Sequence, residues 1–297
     1  QVIKCACVSW CACFGTLARL YTDDIQPTNL ALQGSFLSNS LGSFVLGALV
    51  ASDLNEERLP GLYTGLTVGL CGSYTTYSGW NLRLARGALG DASGPGGAIV
   101  TIVAVVKSLA FFAACFVAGG DLVKQLASRG LCHWRGRNGQ LGDTSTARAL
   151  GVMGLVYVVL GVLLYVDDRR SGRIRWLACA FAPFGALLRF YLSRALNSRW
   201  REGAFPAGTF VANVSGSLAM GLIYYAARAQ DLAGWSGIAL KAFQGGFLGS
   251  LTTMSSFMSE VVGNREKHSP AWSYLYLAVT AIVAQVVVLI VGAALGN

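Results

Sequence analysis

Residues 72–80 read Gly-Ser-Tyr-Thr-Thr-Tyr-Ser-Gly-Trp, and residues 249–257 read Gly-Ser-Leu-Thr-Thr-Met-Ser-Ser-Phe. Both lie inside apolar runs, where each unsatisfied polar group is costly. A hydroxyl-rich stretch at that depth persists only where it is buried in protein or lines a wet path. The groups it offers are neutral: the hydroxyls of Thr75, Thr76, Ser78, Thr252, Thr253, Ser255 and Ser256, with partially positive ring edges at Tyr77, Trp80 and Phe257. Asn39 and Asn213, well inside their own apolar runs, add carboxamides that are expensive without partners. Donors and ring edges without a fixed anion suit a small anion shedding its water. The plainer alternative is that the carboxamides hydrogen-bond helices together.

The missing residue types narrow the chemistry further. No Asp, Glu or His is expected in the interior of any span, and His133 and His268 both fall in loops. A proton-coupled exporter usually needs an intramembrane carboxylate, and an intramembrane hydrolase needs a nucleophile with a base, so no enzyme is expected. Of the eight cysteines, Cys5, Cys7, Cys11 and Cys13 sit in the first apolar run, where Cys behaves as a small apolar residue and no His completes a metal set. No cleavable signal is expected, because the first run lacks a basic leader and a small-residue cleavage site; a segment trimmed before Gln1 is compatible with this.

The elements that must position these groups are membrane spans. Hydrophobic residues make up 54% of the 297 and charged residues 12%, with a mean hydropathy of +0.53. A soluble domain carries roughly 25% charged residues, so the composition is that of an all-α integral membrane protein. Nine runs are long enough to cross a bilayer, near 5–21, 29–51, 60–82, 97–118, 147–166, 174–194, 206–226, 235–259 and 272–296. Little chain remains for a soluble catalytic domain. The net charge of +9 is spread over short loops beside spans, which gives no support to nucleic-acid binding.

Three motifs recur in the same order. Gly15 to Arg19 matches Gly185 to Arg189, the Gly34…Asn39…Gly42 pattern matches Gly208…Asn213…Gly216, and the hydroxyl-rich stretches follow, preceded by the pairs Gly65/Gly69 and Gly245/Gly249. Arg19 and Arg189, near helix ends, are placed to reach water by snorkelling. The chain therefore divides into a first four-helix repeat (1–120), a loop and linker span (121–172) and a second four-helix repeat (173–297). Four spans return the chain to its starting side, so the lone span 147–166 inverts the second repeat. The loops 121–148 and 167–175 read as solvated linkers without chemistry. Lys and Arg lie somewhat more on the N-terminal side, which weakly favours a cytoplasmic N-terminus. Lys107 is the one charge near the middle of a span. A central lysine costs about 2.5–3.5 kcal/mol on insertion scales, so it is expected to face a polar path, the plainer alternative being a stem that snorkels to an interface.

The sets G-x-x-x-R, G-[ST]-x-x-x-N-x-x-G and G-[GS]-x-T-T-x-S-x-[FW], each present twice around a lone span, resemble the Fluc/FEX fluoride channels, specifically the single-chain eukaryotic exporter type. The resemblance covers all nine spans. It implies a passive, selective fluoride channel in the plasma membrane, a monomer acting as a fused antiparallel dimer whose partners are fluoride and the bilayer. It implies a structural sodium ion held where the third helices break, by carbonyls of Gly72, Thr75, Gly249 and Thr252. The pore-lining set it implies comprises Asn39 and Asn213, the segments Thr76, Tyr77, Ser78, Trp80 and Thr253, Met254, Ser255, Phe257, and Lys107, Ser108 and Thr280 from the fourth spans. Arg19 and Arg189 would line vestibules. Two phenylalanines per half are the family pattern; Tyr77, Trp80 and Met254 depart from it, so the two pathways are expected to be unequal. Fluoride, trapped as the anion in a near-neutral cytoplasm, would leave under an inside-negative potential worth about 2.3 kcal/mol per charge per 100 mV. The rival readings are a dual-topology small-molecule or cation transporter, and a non-transporting structural membrane protein.

Overall fold

The computed structural model describes the chain except residues 27–33, 55, 58, 91–94, 132–142, 168, 231, 233 and 296–297, and except the side chains of 60, 95–96, 143–150, 152–153, 201 and 229. Among the described residues the structure is helical, without strands. In chain order the elements are α1 (Val2–Ile25), α2 (Phe36–Ala51), α3 (60–74), α4 (Tyr77–Leu89), α5 (Pro95–Ser128), α6 (Asp143–Val166), α7 (Arg170–Leu196), α8 (Ala207–Ala229), α9 (234–251), α10 (Ser255–Lys267) and α11 (Pro270–Leu295). The third and eighth apolar runs are thus each two helices, α3 with α4 and α9 with α10. Five of the described helices, α1, α5, α7, α8 and α11, are long and apolar enough to cross a bilayer unaided.

The halves are inverted. Along the α1–α7 seam, Arg194 Nη1 donates to Gln1 Oε1 at 2.7 Å, Cys5 Sγ meets Tyr191 OH at 3.1 Å, Cys13 Sγ donates to the Cys179 carbonyl at 3.3 Å, and Arg175 pairs with Asp24. Residue numbers rise on one helix as they fall on the other, so the first helices of the two halves run antiparallel. The linker α6 packs on both of them. Within the first half, α2 crosses α5 almost backbone to backbone: a Cβ on Gly47 would run into the Phe116 carbonyl, and one on Gly119 into that of Phe44.

Each helix that restarts after a break packs on both halves. α10 packs against α2 and α5 of the first half, and α4 against α8 and α11 of the second. Their rings form the main core, where Tyr77, Trp80, Phe112, Met254, Phe257 and Tyr276 are all essentially inaccessible. Apolar length underestimates several helices. α5 continues past the expected 118 to Ser128, into what reads as loop, and α10 continues past 259 to Lys267. His133, expected in a loop, lies outside the described residues.

Candidate functional site

Both paired glycine motifs adopt π-helical turns, Gly65–Cys71 in α3 and Gln244–Leu248 in α9, a geometry that recurs at functional sites. The helices then stop. Thr75 and Thr76 are extended (φ −100°, ψ 152° and φ −141°, ψ 133°), as is Thr252 (φ −94°, ψ 148°). A helix end leaves amides and carbonyls without partners, and here the side chains of both halves supply them. Asn39 forms a two-pronged clamp: its Oδ1 accepts from the Thr76 amide at 2.9 Å while Nδ2 donates to the Thr76 carbonyl at 3.0 Å. Asn213 treats Thr253 in the same way, at 2.9 and 3.1 Å. Both carboxamides are fully buried, and these bonds are the interhelical role that their sequence positions also allowed.

The hydroxyls cross between halves. Thr75 Oγ1 accepts from the Ser255 amide at 3.1 Å, and Thr252 Oγ1 accepts from the Ser78 amide at 3.1 Å, so each break caps the helix that restarts in the other half. Around them, Thr76 meets Thr252 at 3.1 Å, Thr75 meets Thr253 at 3.2 Å, Ser78 meets Thr252 at 2.9 Å, and Ser255 donates to the Cys71 carbonyl at 3.1 Å. The hydroxyl-rich stretches therefore meet in one central hub.

Arg19 and Arg189 differ from the sequence expectation. Neither snorkels to water nor lines an open vestibule; they are 3% and 2% exposed. Arg19 donates to the Gly245 carbonyl in the second half's π-turn. Arg189 reaches the Val68 carbonyl in the first half's π-turn at 2.8 Å and holds the Ser250 carbonyl at 3.0 Å. The inverted packing draws both guanidinium groups inward, since the π-turns offer carbonyl acceptors that the helix ends do not. Glycine is needed opposite them, because a Cβ on Gly72 would collide with Arg189 and one on Gly249 with Arg19.

Lys107 also departs from expectation. It is exposed on the outward side of α5 with Val103, Val106 and Phe111, whereas Ser108, about 100° further round the helix, is buried. Ser108 and Thr280 do face inward, and Met254 and Phe257 pack with Tyr77.

Beside the hub runs a column of rings: Phe112, Trp80, Tyr77, Phe257, Tyr276 and Phe205, in successive edge-on contacts with centroids 5.1–6.2 Å apart. In the column the Tyr77 hydroxyl and the Trp80 Nε1 are buried without a hydrogen-bond partner, as are the hydroxyls of Thr280, Ser43, Ser73 and Ser217 elsewhere in the helices. An orphaned buried donor costs about 1–3 kcal/mol, and several together mark groups that wait for a ligand or water.

Sequence reasoning missed Glu260. It was placed beyond the eighth run, yet α10 continues through it and it is half-buried against α8 and α11 neighbours. Its Oε1 accepts from Thr209 Oγ1 at 2.6 Å and Asn197 Nδ2 at 2.9 Å, and its Oε2 accepts from Tyr276 OH at 2.7 Å. The carboxyl thus sits one residue past the expected eighth run, on a helix that continues beyond it. Local solvation by three side-chain donors lets the helix carry a carboxyl inward. The repeat registers themselves could have revealed the site: Ser193, Thr209 and Glu260 correspond to Asp23, Ser35 and Arg83. In the first half Ser35 and Ser38 donate to Asp23 at 2.8 and 2.9 Å, and Arg83 lies across Gly34. The carboxylate has changed helices between halves, so the two halves are inequivalent here. A cavity of about 310 Å³, rimmed by Glu202, Lys267 and His268, opens onto Glu260.

A family model described as "CrcB-like protein, Camphor Resistance (CrcB)" matches residues 6–120 and 176–293, one match per half. Fluoride export protein 1 of Candida albicans is 32% identical over 304 residues, covering 87% of this chain and 72% of that protein. Fluoride export protein 1 of Neurospora crassa is 30% identical over 237 residues, covering 72% of this chain and 44% of that protein. Fluoride-specific ion channel FluC 1 of Staphylococcus aureus is 39% identical over 115 residues, 38% of this chain and 88% of that protein. No solved structure matches the chain. With each half matched separately and the halves inverted around α6, the chain belongs to the CrcB-like family.

Proposed function

We propose that the protein is a passive fluoride channel of the plasma membrane that exports fluoride from the cytoplasm, one chain acting as a fused antiparallel dimer. The observation that carries this reading is the set of buried, unpartnered donors in the ring column, at the crossing of two broken helices. Neutral donors at close quarters replace the hydration shell of a small anion, and the narrow packing rejects a larger one. The related proteins carrying fluoride-export and fluoride-channel names supply the ion's identity.

The pore set remains Asn39 and Asn213 with the neutral groups of the two breaks, and the clamps make the asparagines the elements that fix the breaks' geometry. Arg19 and Arg189 act as internal braces between the halves. The unequal rings and the exchanged carboxylate support two unequal routes.

A structural sodium ion fits the residues at the crossing. The Thr76 amide, which would close the next turn onto the Gly72 carbonyl, is donated to Asn39, and the Thr253 amide is likewise withdrawn from Gly249. Carbonyls of Gly72, Thr75, Gly249 and Thr252 would hold the ion, which would tie the two breaks together. No group of three His, Cys, Asp or Glu suited to a metal occurs among the described residues. Neutral oxygens beside two guanidinium groups suit a monovalent ion over a divalent one.

Glu260 favours a second reading, proton-coupled fluoride transport, because it is a half-buried carboxyl bonded to Tyr276 of the column. Fluoride efflux from proteoliposomes under an imposed potential separates the two. The channel reading expects rapid efflux that follows the potential and ignores a proton gradient. Efflux driven by the proton gradient alone would establish the second reading, and no efflux under either gradient would remove both.

A further inference from the structure

The segment between α6 and α7 reads in the sequence as a solvated linker, yet its arginines are individually placed. Arg169 pairs with the Asp167 carboxylate at 3.1 Å, and Arg175 pairs with Asp24 and stacks on Tyr21. Arg170 and Arg173, one turn apart on the same face of α7, both meet the first turn of α9 instead. Arg173 lies over the Trp235 ring at 5.3 Å and donates its Nε to the Asp167 carbonyl at 3.0 Å, and the Arg170 guanidinium sits against Gly237. Below them is a cavity of about 690 Å³, lined by Gly161, Leu164, Tyr165 and Val166 of α6 with Arg173 and Trp235.

The chemistry of this crevice is layered. Two arginines and the amino end of α9 stand at one level, where a phosphate is favoured by charge. Tyr165, 87% exposed, and Trp235, 58% exposed, flank that level as interfacial aromatics do. Deeper lies an apolar groove whose floor is Gly161, where a Cβ would meet nothing within 4 Å. A soluble anion would use only the upper layer, and a detached hydrocarbon only the lower one.

We propose that this crevice is a binding site for one anionic phospholipid, its phosphate between Arg170 and Arg173 and an acyl chain along Gly161 and Leu164. The lipid bridges the end of the linker α6 to α9 of the second half, and so fixes the inverted half against the linker. This inference goes beyond the channel reading and does not depend on it.

The test is native mass spectrometry of the full chain released from micelles doped with dioleoylphosphatidylglycerol, with dioleoylphosphatidylcholine as comparison. Each arginine near a headgroup is worth several-fold in lipid affinity, so Arg170→Met with Arg173→Met should lower phosphatidylglycerol retention about thirtyfold. Gly161→Leu keeps both arginines, disturbs no packed neighbour and fills the groove, so it should also displace the lipid and stands as the test should the arginine variant not fold. Equal retention by the native chain and Gly161→Leu overturns the proposal. So does equal retention of phosphatidylcholine, or displacement by millimolar inorganic phosphate, which would make this a soluble-anion site.

Discussion

Thr75 caps a helix that is not its own: its Oγ1 accepts from the amide of Ser255 at 3.1 Å, across the boundary between the two halves. Thr252 returns the arrangement at Ser78, also at 3.1 Å. A cap is worth about 1 kcal/mol, but both of these are buried, where an orphaned amide costs about 1–3 kcal/mol. Thr75→Val and Thr252→Val, near-isosteric changes, should each lower stability by roughly 2 kcal/mol, while Thr→Ser at either position should be mild. Thermal melts in detergent check this. If the valine variants melt with the native chain, the caps do not hold the halves together.

The asparagine clamps predict a dissociation between stability and conduction. Asn39→Ala and Asn213→Ala each strip a break of two buried bonds, so both should destabilise by a similar amount, on the order of 2–4 kcal/mol. Fluoride efflux should nevertheless differ, with one variant nearly silent and the other mild, because Tyr77 follows the first clamp and Met254 the second. Equal efflux at matched protein would show two equivalent routes.

Glu260 gathers three donors, at 2.6, 2.7 and 2.9 Å. Glu260→Ala would leave Thr209, Asn197 and Tyr276 without their acceptor and should cost on the order of 2–3 kcal/mol. Tyr276→Phe removes one donor while keeping its ring against Phe257, and should be the milder change for stability. The pair in a double-mutant cycle should be non-additive, as contacting residues are. Strict additivity would mean that the Tyr276 bond contributes nothing.

The repeat, the breaks and the span count were legible because they leave marks in residue type: hydroxyls and glycines interrupt apolar runs, and they do so twice. What was not legible depends on which half a side chain reaches. Arg19 and Arg189 read as helix-end residues and only the inverted packing turns them onto the opposite π-turns. Glu260 was counted as loop because apolar length ends before it, whereas its burial is decided by Thr209 and Tyr276, remote in sequence. For Lys107 the face was misread, since neighbouring positions on a helix point about 100° apart.

That outward placement reverses the expectation for Lys107. Beside Val103, Val106 and Phe111, it is not part of the ring column that Phe112 enters. Lys107→Met should leave fluoride conductance and its salt dependence unchanged. A variant with altered conductance would return the residue to the pathway.

The last prediction concerns the ion at the crossing. Its proposed ligands are backbone oxygens left by the withdrawal of the Thr76 and Thr253 amides, so ion binding and the asparagine clamps are coupled through single peptide units. Protein prepared with sodium replaced by a large organic cation should lose fluoride efflux, melt earlier, and recover both on sodium addition, while calcium should not substitute because the site offers no carboxylate. Mass action sets the size of the effect: raising sodium to about a hundred times its dissociation constant should add about 2.7 kcal/mol of stability. Asn39→Ala and Asn213→Ala free those amides to re-bond with Gly72 and Gly249, so the same variants should blunt the sodium dependence of the melt. Sodium-independent melting of the native chain would remove the ion from the crossing, and an undiminished sodium response in both asparagine variants would place it on other oxygens.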